Sequence, residues 1–131
     1  MEALIEPSYA VAIEPDHRLL HVAVRGFWSA AMLPGYIAEL LRQIAVLDTG
    51  QGCDRVLVDM TDYPIQSREI AEAHCRFIVH GRTHVGAATA IVMRSVLSRL
   101  QAKRMANIAG HELFDDEPAA RAWLMTQPVR R

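Results

Sequence analysis

The sequence predicts an α/β domain on a mixed, mostly parallel sheet, with elements in the order β-β-α-β-α-β-α-β-α. Three observations lead there. Two short, partly β-branched stretches near the N-terminus are joined by a turn-like segment holding Pro15 and Asp16, the mark of a hairpin. Two later runs, RVLVDM and AATAIVM, are apolar without alternation, as in strands buried on both faces. Each of these runs is followed by a serine and then a stretch of helical periodicity, and strands alternating with helices build parallel sheets through right-handed crossovers.

Tyr9 to Glu14 (YAVAIE) reads as the first strand. Leu19 to Arg25 (LLHVAVR) alternates, with Leu20, Val22 and Val24 on one side, and pairs antiparallel with the first; Gly26 closes it. Ser29 stands as a helix N-cap. Leu33, Tyr36, Ile37, Leu40, Leu41 and Ile44 then recur at helical spacing as one stripe. Pro34 either opens the regular helix in its first turn or kinks one begun at Ala30. Asp48 to Asp54, with Gly50 and Gly52, reads as a surface loop. Arg55 to Met60 is a central strand and Thr61 to Gln66 a loop. Ser67 caps a second helix to about His80, with Glu69 favourable near its positive end. Gly81 to Gly86 returns the chain to a second central strand, Ala87 to Met93. Ser95 caps a third helix to about Ile108, closed by Gly110. Its stripe is Val96, Leu97, Leu100 and Ile108; Arg104 falls inside that stripe and is expected to pair with Asp115 or Asp116. Glu112 to Phe114 is a short strand. Asp116 caps the last helix, with Pro118 in its first turn and Ala120, Trp123 and Leu124 facing inward. No repeat or linker interrupts this order, so residues 1–131 form a single domain with a core of about 9–125 and a tail of 126–131.

Charge and composition exclude several function classes. Hydrophobic residues at 51% and charged residues at 22% belong to a packed domain rather than a disordered chain. Fourteen basic residues against fifteen acidic ones leave no excess of positive charge. That argues against nucleic acid as a partner, because phosphate neutralisation supplies most of the affinity of such binders. Arg99, Lys103 and Arg104 on the third helix lack the interleaved aromatics of a nucleic-acid strip. Cys53 and Cys75 have no metal-type spacing and are expected as free thiols in a reducing cytoplasm. The N-terminus lacks the basic start and long apolar core of a signal peptide, and no apolar run approaches the ~20 residues that span a bilayer. The expected location is cytoplasmic, with no membrane span.

The strand Arg55–Met60, the loop through Pro64, the cap Ser67, the phrase HVAVRGFWS (His21–Ser29) and the closing FDDEPAARAWL (Phe114–Leu124) together resemble the SpoIIAA-like, STAS-type domains. The resemblance runs from about Tyr9 to Leu124. It implies a β/α superhelix on a mixed sheet with helices largely on one face. It also implies a regulatory module that binds a partner, and in anti-sigma-factor antagonists a serine at the start of the helix after the central strand is switched by phosphorylation. Those serines lie in Asp-Ser-Ser or Asp-Ser-Thr-Gly motifs. Here the stretch is Pro64-Ile65-Gln66-Ser67-Arg68-Glu69, so Ser67 keeps its place while Gln66, Arg68 and Glu69 replace the surrounding residues. Some SpoIIAA-like proteins have sheets likened to lipid-binding folds, which implies a carrier as the alternative.

Residue chemistry favours binding over catalysis. His80 and His84 have a ligand-like spacing, but Gly81 breaks the helix between them. His74 shares a helix face with Ile70, Phe77 and Ile78, as a core histidine with one ring nitrogen bonded to a neighbour would. No nucleophile elbow or phosphate loop is present in the sequence. Asp59, Asp62, Asp115 and Asp116 fall past the carboxyl ends of two strands, where caps, a turn and an arginine partner account for them. Arg94 lies on the same edge. The candidate partner or ligand edge is therefore Trp28, Asp59, Thr61, Asp62, Tyr63, Ser67, Arg94 and Ser95. Phe27 and Trp28 are adjacent at a strand exit, so alternation cannot bury both on one face; one is expected on the rim near Tyr63. The expectation is a non-enzymatic module that binds a protein partner or its own copy, with a carrier of a small apolar ligand as the alternative and with no catalytic residue, cofactor or metal.

Overall fold

The computed structural model describes residues 6–50, 52–64, 66–74, 76, 88–93, 100 and 112–127. The readings placed on Cys75, His80, His84, Arg94, Ser95, Arg104, the return loop 81–86 and most of the third helix lie outside the described residues.

The N-terminal hairpin forms because two runs of apolar and β-branched residues flank a segment that can only turn. Strand β1 (Ser8–Glu14) pairs antiparallel with β2 (Leu19–Arg25) in one unbroken register from Ser8 opposite Arg25 to Glu14 opposite Leu19. A 3-10 turn over Pro15–His17 joins them, and Arg18 completes the reversal in the left-handed region at φ 53°. The two central strands follow: β3 (Arg55–Asp59) and β4 (Ala88–Val92) are parallel neighbours. The short β5 (Glu112–Phe114) adds parallel to β4, giving the sheet order β1-β2-β3-β4-β5. This is the expected mixed, mostly parallel sheet.

Helix α1 (Leu33–Asp48) takes Pro34 in its first turn, which selects the first of the two readings of that residue. A proline there forfeits no helical hydrogen bond, because the first N–H groups have no acceptor in the helix. A separate 3-10 turn, Ala30–Met32, precedes it. Ser29 therefore caps no α-helix: it sits before the 3-10 turn, and its side chain makes no capping bond. Tyr36, Leu40 and Leu47 are buried, with Leu33, Ile37 and Ile44 packed partly beside them. Leu41 departs from the predicted stripe and is 56% exposed, because it lies at the flank of the helix rather than over the sheet. Leu100, placed in the stripe of the third helix, is exposed as well. The 19-residue helical stretch Ala30–Asp48 has a mean hydropathy of 1.3, long and apolar enough to cross a membrane. That holds by length and composition only, with Glu39 and Arg42 inside the stretch; in the fold Tyr36, Leu40 and Leu47 of this helix are buried against the sheet.

A helix over residues 68–74, α2, packs on the same face as α1 through Ile70. That face buries Leu20, Val22, Val24, Val58, Ile91 and Met93. Helix α3 (Glu117–Met125) covers the opposite face, where Leu19, Leu57, Ala90 and Val92 meet Ala120 and Leu124. The split follows from period two: alternate residues of the central strands point to opposite sides, so both sides need covering. Asp116 caps α3 as expected, its Oδ1 accepting from the Ala119 N–H at 2.8 Å.

Arg55 opens an otherwise apolar run, yet it is buried with its charge. Its Nε donates to the Leu124 carbonyl at 2.9 Å and a terminal nitrogen to the His17 carbonyl at 2.7 Å. A third, longer bond of 3.4 Å reaches Gln127. The guanidinium thus satisfies carbonyls at the end of α3, where the helix presents its negative pole. The loop reading of Asp48 to Asp54 holds only in part, since Cys53 and Asp54 are buried at its end and Asp54 pairs with Arg18 at 2.7 Å. Burial pushes the Cys53 thiol up to about 11, so it stays protonated at neutral pH.

Candidate functional site

The carboxyl ends of β2, β3 and β4 converge on one edge of the sheet, because these strands run parallel. The chain leaving β2 passes through Gly26, Phe27 and Trp28. The chain leaving β3 runs beside it, with the Gly26 N–H donating to the Asp62 carbonyl at 3.0 Å. Gly26 adopts φ 76°, a left-handed conformation that glycine takes without a Cβ penalty.

One side chain locks these two loops together. The Gln66 amide oxygen accepts from the Trp28 N–H at 2.8 Å. Its amide nitrogen donates to the Gly26 carbonyl at 3.0 Å and to the Pro64 carbonyl at 2.8 Å. Gln66 is itself buried. It brackets Phe27, bonding the residue before it and the residue after it. The Trp28 indole N–H donates in addition to the Arg25 carbonyl at 2.8 Å. Held in this way, Trp28 turns inward to 2% exposure and Phe27 turns outward to 57%.

Beneath the bracket lies a set of interlocked rings. Trp28 meets Tyr36 edge-on at 4.9 Å between centroids, Tyr63 at 6.0 Å and His74 at 5.1 Å. Tyr9 of β1 closes the set against Trp28 and Tyr36. Edge-to-face contacts of this kind add to the gain from burying the rings. Tyr63 Oη and His74 Nδ1 share a hydrogen bond of 2.6 Å, with the proton's owner set by the imidazole tautomer. His74 is 4% exposed and its Nε2 has no partner among the described residues. Burial pulls the imidazole down to about 4, so it is neutral at pH 7, and burial likewise raises both tyrosine phenols. A neutral imidazole and protonated phenols make this set of rings polar but uncharged at pH 7.

The acids of the edge are engaged locally. Asp59 Oδ1 accepts from the Thr61 N–H at 2.9 Å in a turn. Asp62 pairs with Arg25 at 2.9 Å. Asp116 is spent on the cap of α3. The Ser67 Oγ accepts from the Ile70 N–H at 3.3 Å and so caps α2. Of the residues proposed for the edge, Asp59 ends β3 and Thr61, Asp62 and Ser67 lie between β3 and α2, whereas Trp28 and Tyr63 are buried beneath it. Arg94 and Ser95 are outside the described residues. Among the described residues no group of three or more metal-type ligands comes together. The role of Gln66 had no signal in the sequence, since a glutamine between Ile65 and Ser67 looks like any loop residue until Gly26 and Trp28 are brought beside it.

No protein-family model and no curated protein sequence matches the chain. Among solved structures, it is similar to an uncharacterized protein of the DUF3478 family with a SpoIIAA-like fold from Shewanella loihica PV-4, determined at 2.25 Å resolution. The two superpose with a TM-score of 0.70 over 95% of this chain and 99% of the other, at 16% sequence identity. The chain has a SpoIIAA-like fold.

Proposed function

We propose that the domain works by binding a protein partner at the strand-exit edge, in the cytoplasm and without catalysing a reaction, with Phe27 as the anchor. One observation carries this reading: the buried Gln66 amide brackets Phe27 on both sides and so presents an exposed aromatic on a fixed backbone. Aromatic side chains are favoured interface anchors, and one held in place before contact avoids the cost of ordering on binding. The local engagement of Asp59, Asp62 and Asp116 supports binding over acid–base chemistry. The test is a photo-crosslinking phenylalanine analogue placed at Phe27 in the native cells. A single discrete protein adduct is expected, reduced by Gln66→Ala and missing when the analogue replaces the exposed Val46 instead. No adduct at Phe27, or equal adducts at both positions, overturns the reading.

A second reading, a carrier of a small apolar molecule held between sheet and helices, is favoured by the Nε2 of buried His74, which has no partner among the described residues and lies among aromatic rings. A ligand with one polar group would satisfy that nitrogen. Native mass spectrometry showing a stoichiometric small molecule on the purified protein selects this reading; the mass of the bare chain speaks against it.

A further inference from the structure

The two edges of the sheet are unequal. β5 is three residues long, which leaves little backbone to pair. β1 is seven residues long and pairs with β2 alone among the described strands. Long edge strands are normally blunted by a bulge, a proline or a lysine, because their outer N–H and C=O groups will otherwise pair with another strand. β1 has none of these: its register with β2 is unbroken and its sequence is SYAVAIE. Its one charge, Glu14, is at the end and is tied back to Arg121 by two hydrogen bonds of 3.0 and 2.7 Å.

We propose that β1 is an interface for a second copy of this chain, paired antiparallel about a two-fold axis at Val11 to join two five-stranded sheets into one. This surface is separate from the Phe27 edge. Strand parity limits the register, because residues facing each other across a two-fold perpendicular to the sheet must lie on the same face. Centred on Val11, the pairing uses all seven residues: Ser8 opposite Glu14, Tyr9 opposite Ile13 and Ala10 opposite Ala12. Shifting the centre to Ala10 would oppose Glu14 with Glu6 and bring like charges together, which is unfavourable between strands. Centring on Ala12 would bring Pro15 into the ladder, where it has no N–H to give.

The full-overlap register also brings no unpaired charge into the seam, since Glu14 stays on Arg121 and Arg25 on Asp62. Ser8 faces Arg25 within the hairpin. Glu14 of the second copy would face Ser8 from the other side, a side chain small enough to leave the Glu14–Arg121 pair in place. Ala10 and Ala12 are exposed on the face shared with Ser8 and Glu14, so the sheets approach without bulky side chains between them.

The test is sedimentation equilibrium at tens of micromolar, with far-UV circular dichroism to confirm the fold of each variant. The wild type is expected at twice the chain mass of 14.6 kDa. Ala10→Lys with Ala12→Lys places lysines opposite lysines and should weaken the dimer on the order of tenfold or more. Ala10→Lys with Ala12→Glu places each lysine opposite a glutamate of the other copy and should restore it. A monomeric wild type overturns the proposal, as does a double-lysine variant that dimerises as tightly as the wild type. A lysine–glutamate variant no tighter than the double-lysine one rejects the register. Retention of the dimer in Phe27→Ser separates this interface from the strand-exit edge.

Discussion

His74 is held neutral by burial, and that has a cost that depends on pH. Its folded pKa of about 4 lies below the ordinary value of 6.5. Between those two values the unfolded chain binds a proton that the folded one does not, so stability rises with pH across the window and falls on acidification. The difference corresponds to something on the order of 3 kcal/mol between neutral pH and pH 4. His74→Gln retains a polar group for Tyr63 but does not titrate. Urea unfolding from pH 7 to pH 4 should therefore show a shallower loss in the variant than in the wild type, and equal slopes would show that His74 does not carry the effect. The sequence placed this histidine on an inward helix face, and the bond to Tyr63 fits that reading. It did not place Trp28, Tyr36 and Tyr63 around the ring, because those residues come from three separate segments.

At the scale of elements, local chemistry carries most of the explanation. Asp116 and Ser67 were legible as helix caps because an oxygen acceptor just before an amphipathic stretch has few other uses. Their geometry now ranks them: the Asp116 bond is 2.8 Å and charged, whereas the Ser67 bond is 3.3 Å and neutral. Asp116→Ala should cost about 1–2 kcal/mol and Ser67→Ala about 0.5–1 kcal/mol by denaturant unfolding. The reverse order would mean that Ser67 does more than cap. Ser29 is equivalent in sequence and not in structure, since the helix starts only at Leu33, with Pro34 in its first turn, and the intervening turn is 3-10. Leu41 misled for a related reason: periodicity identifies an apolar arc but not how much of it the sheet covers.

Across the whole molecule, Arg55 ties together parts that are distant in the chain. It is anchored in the central strand and bonds the carbonyls of His17, Leu124 and Gln127, thereby joining the hairpin turn to the end of the last helix. Arg55→Leu fits the apolar surroundings but leaves these carbonyls short of donors, and should cost about 2–4 kcal/mol in urea unfolding. Arg55→Lys should recover only part of that, since an ammonium cannot present the guanidinium's fork of donors. A loss of under half a kilocalorie in Arg55→Leu would show that water serves those carbonyls equally well.

The order of the strands and of the described helices, the antiparallel hairpin, the two central parallel strands and the caps at Ser67 and Asp116 were determined by the sequence alone. Each depends on periodicity or turn chemistry within a few residues, and such signals survive without knowledge of the rest of the chain. Tertiary structure alone decided that Gln66 brackets Phe27, that Trp28 rather than Phe27 turns inward, and that Arg55 is buried on backbone carbonyls. Gln66 lies 38 residues from Trp28, and Arg55 lies 69 from Leu124. A polar side chain carries no mark of a partner so far along the chain. Its role exists only once the sheet has brought two loops, or a strand and a helix end, within hydrogen-bonding distance.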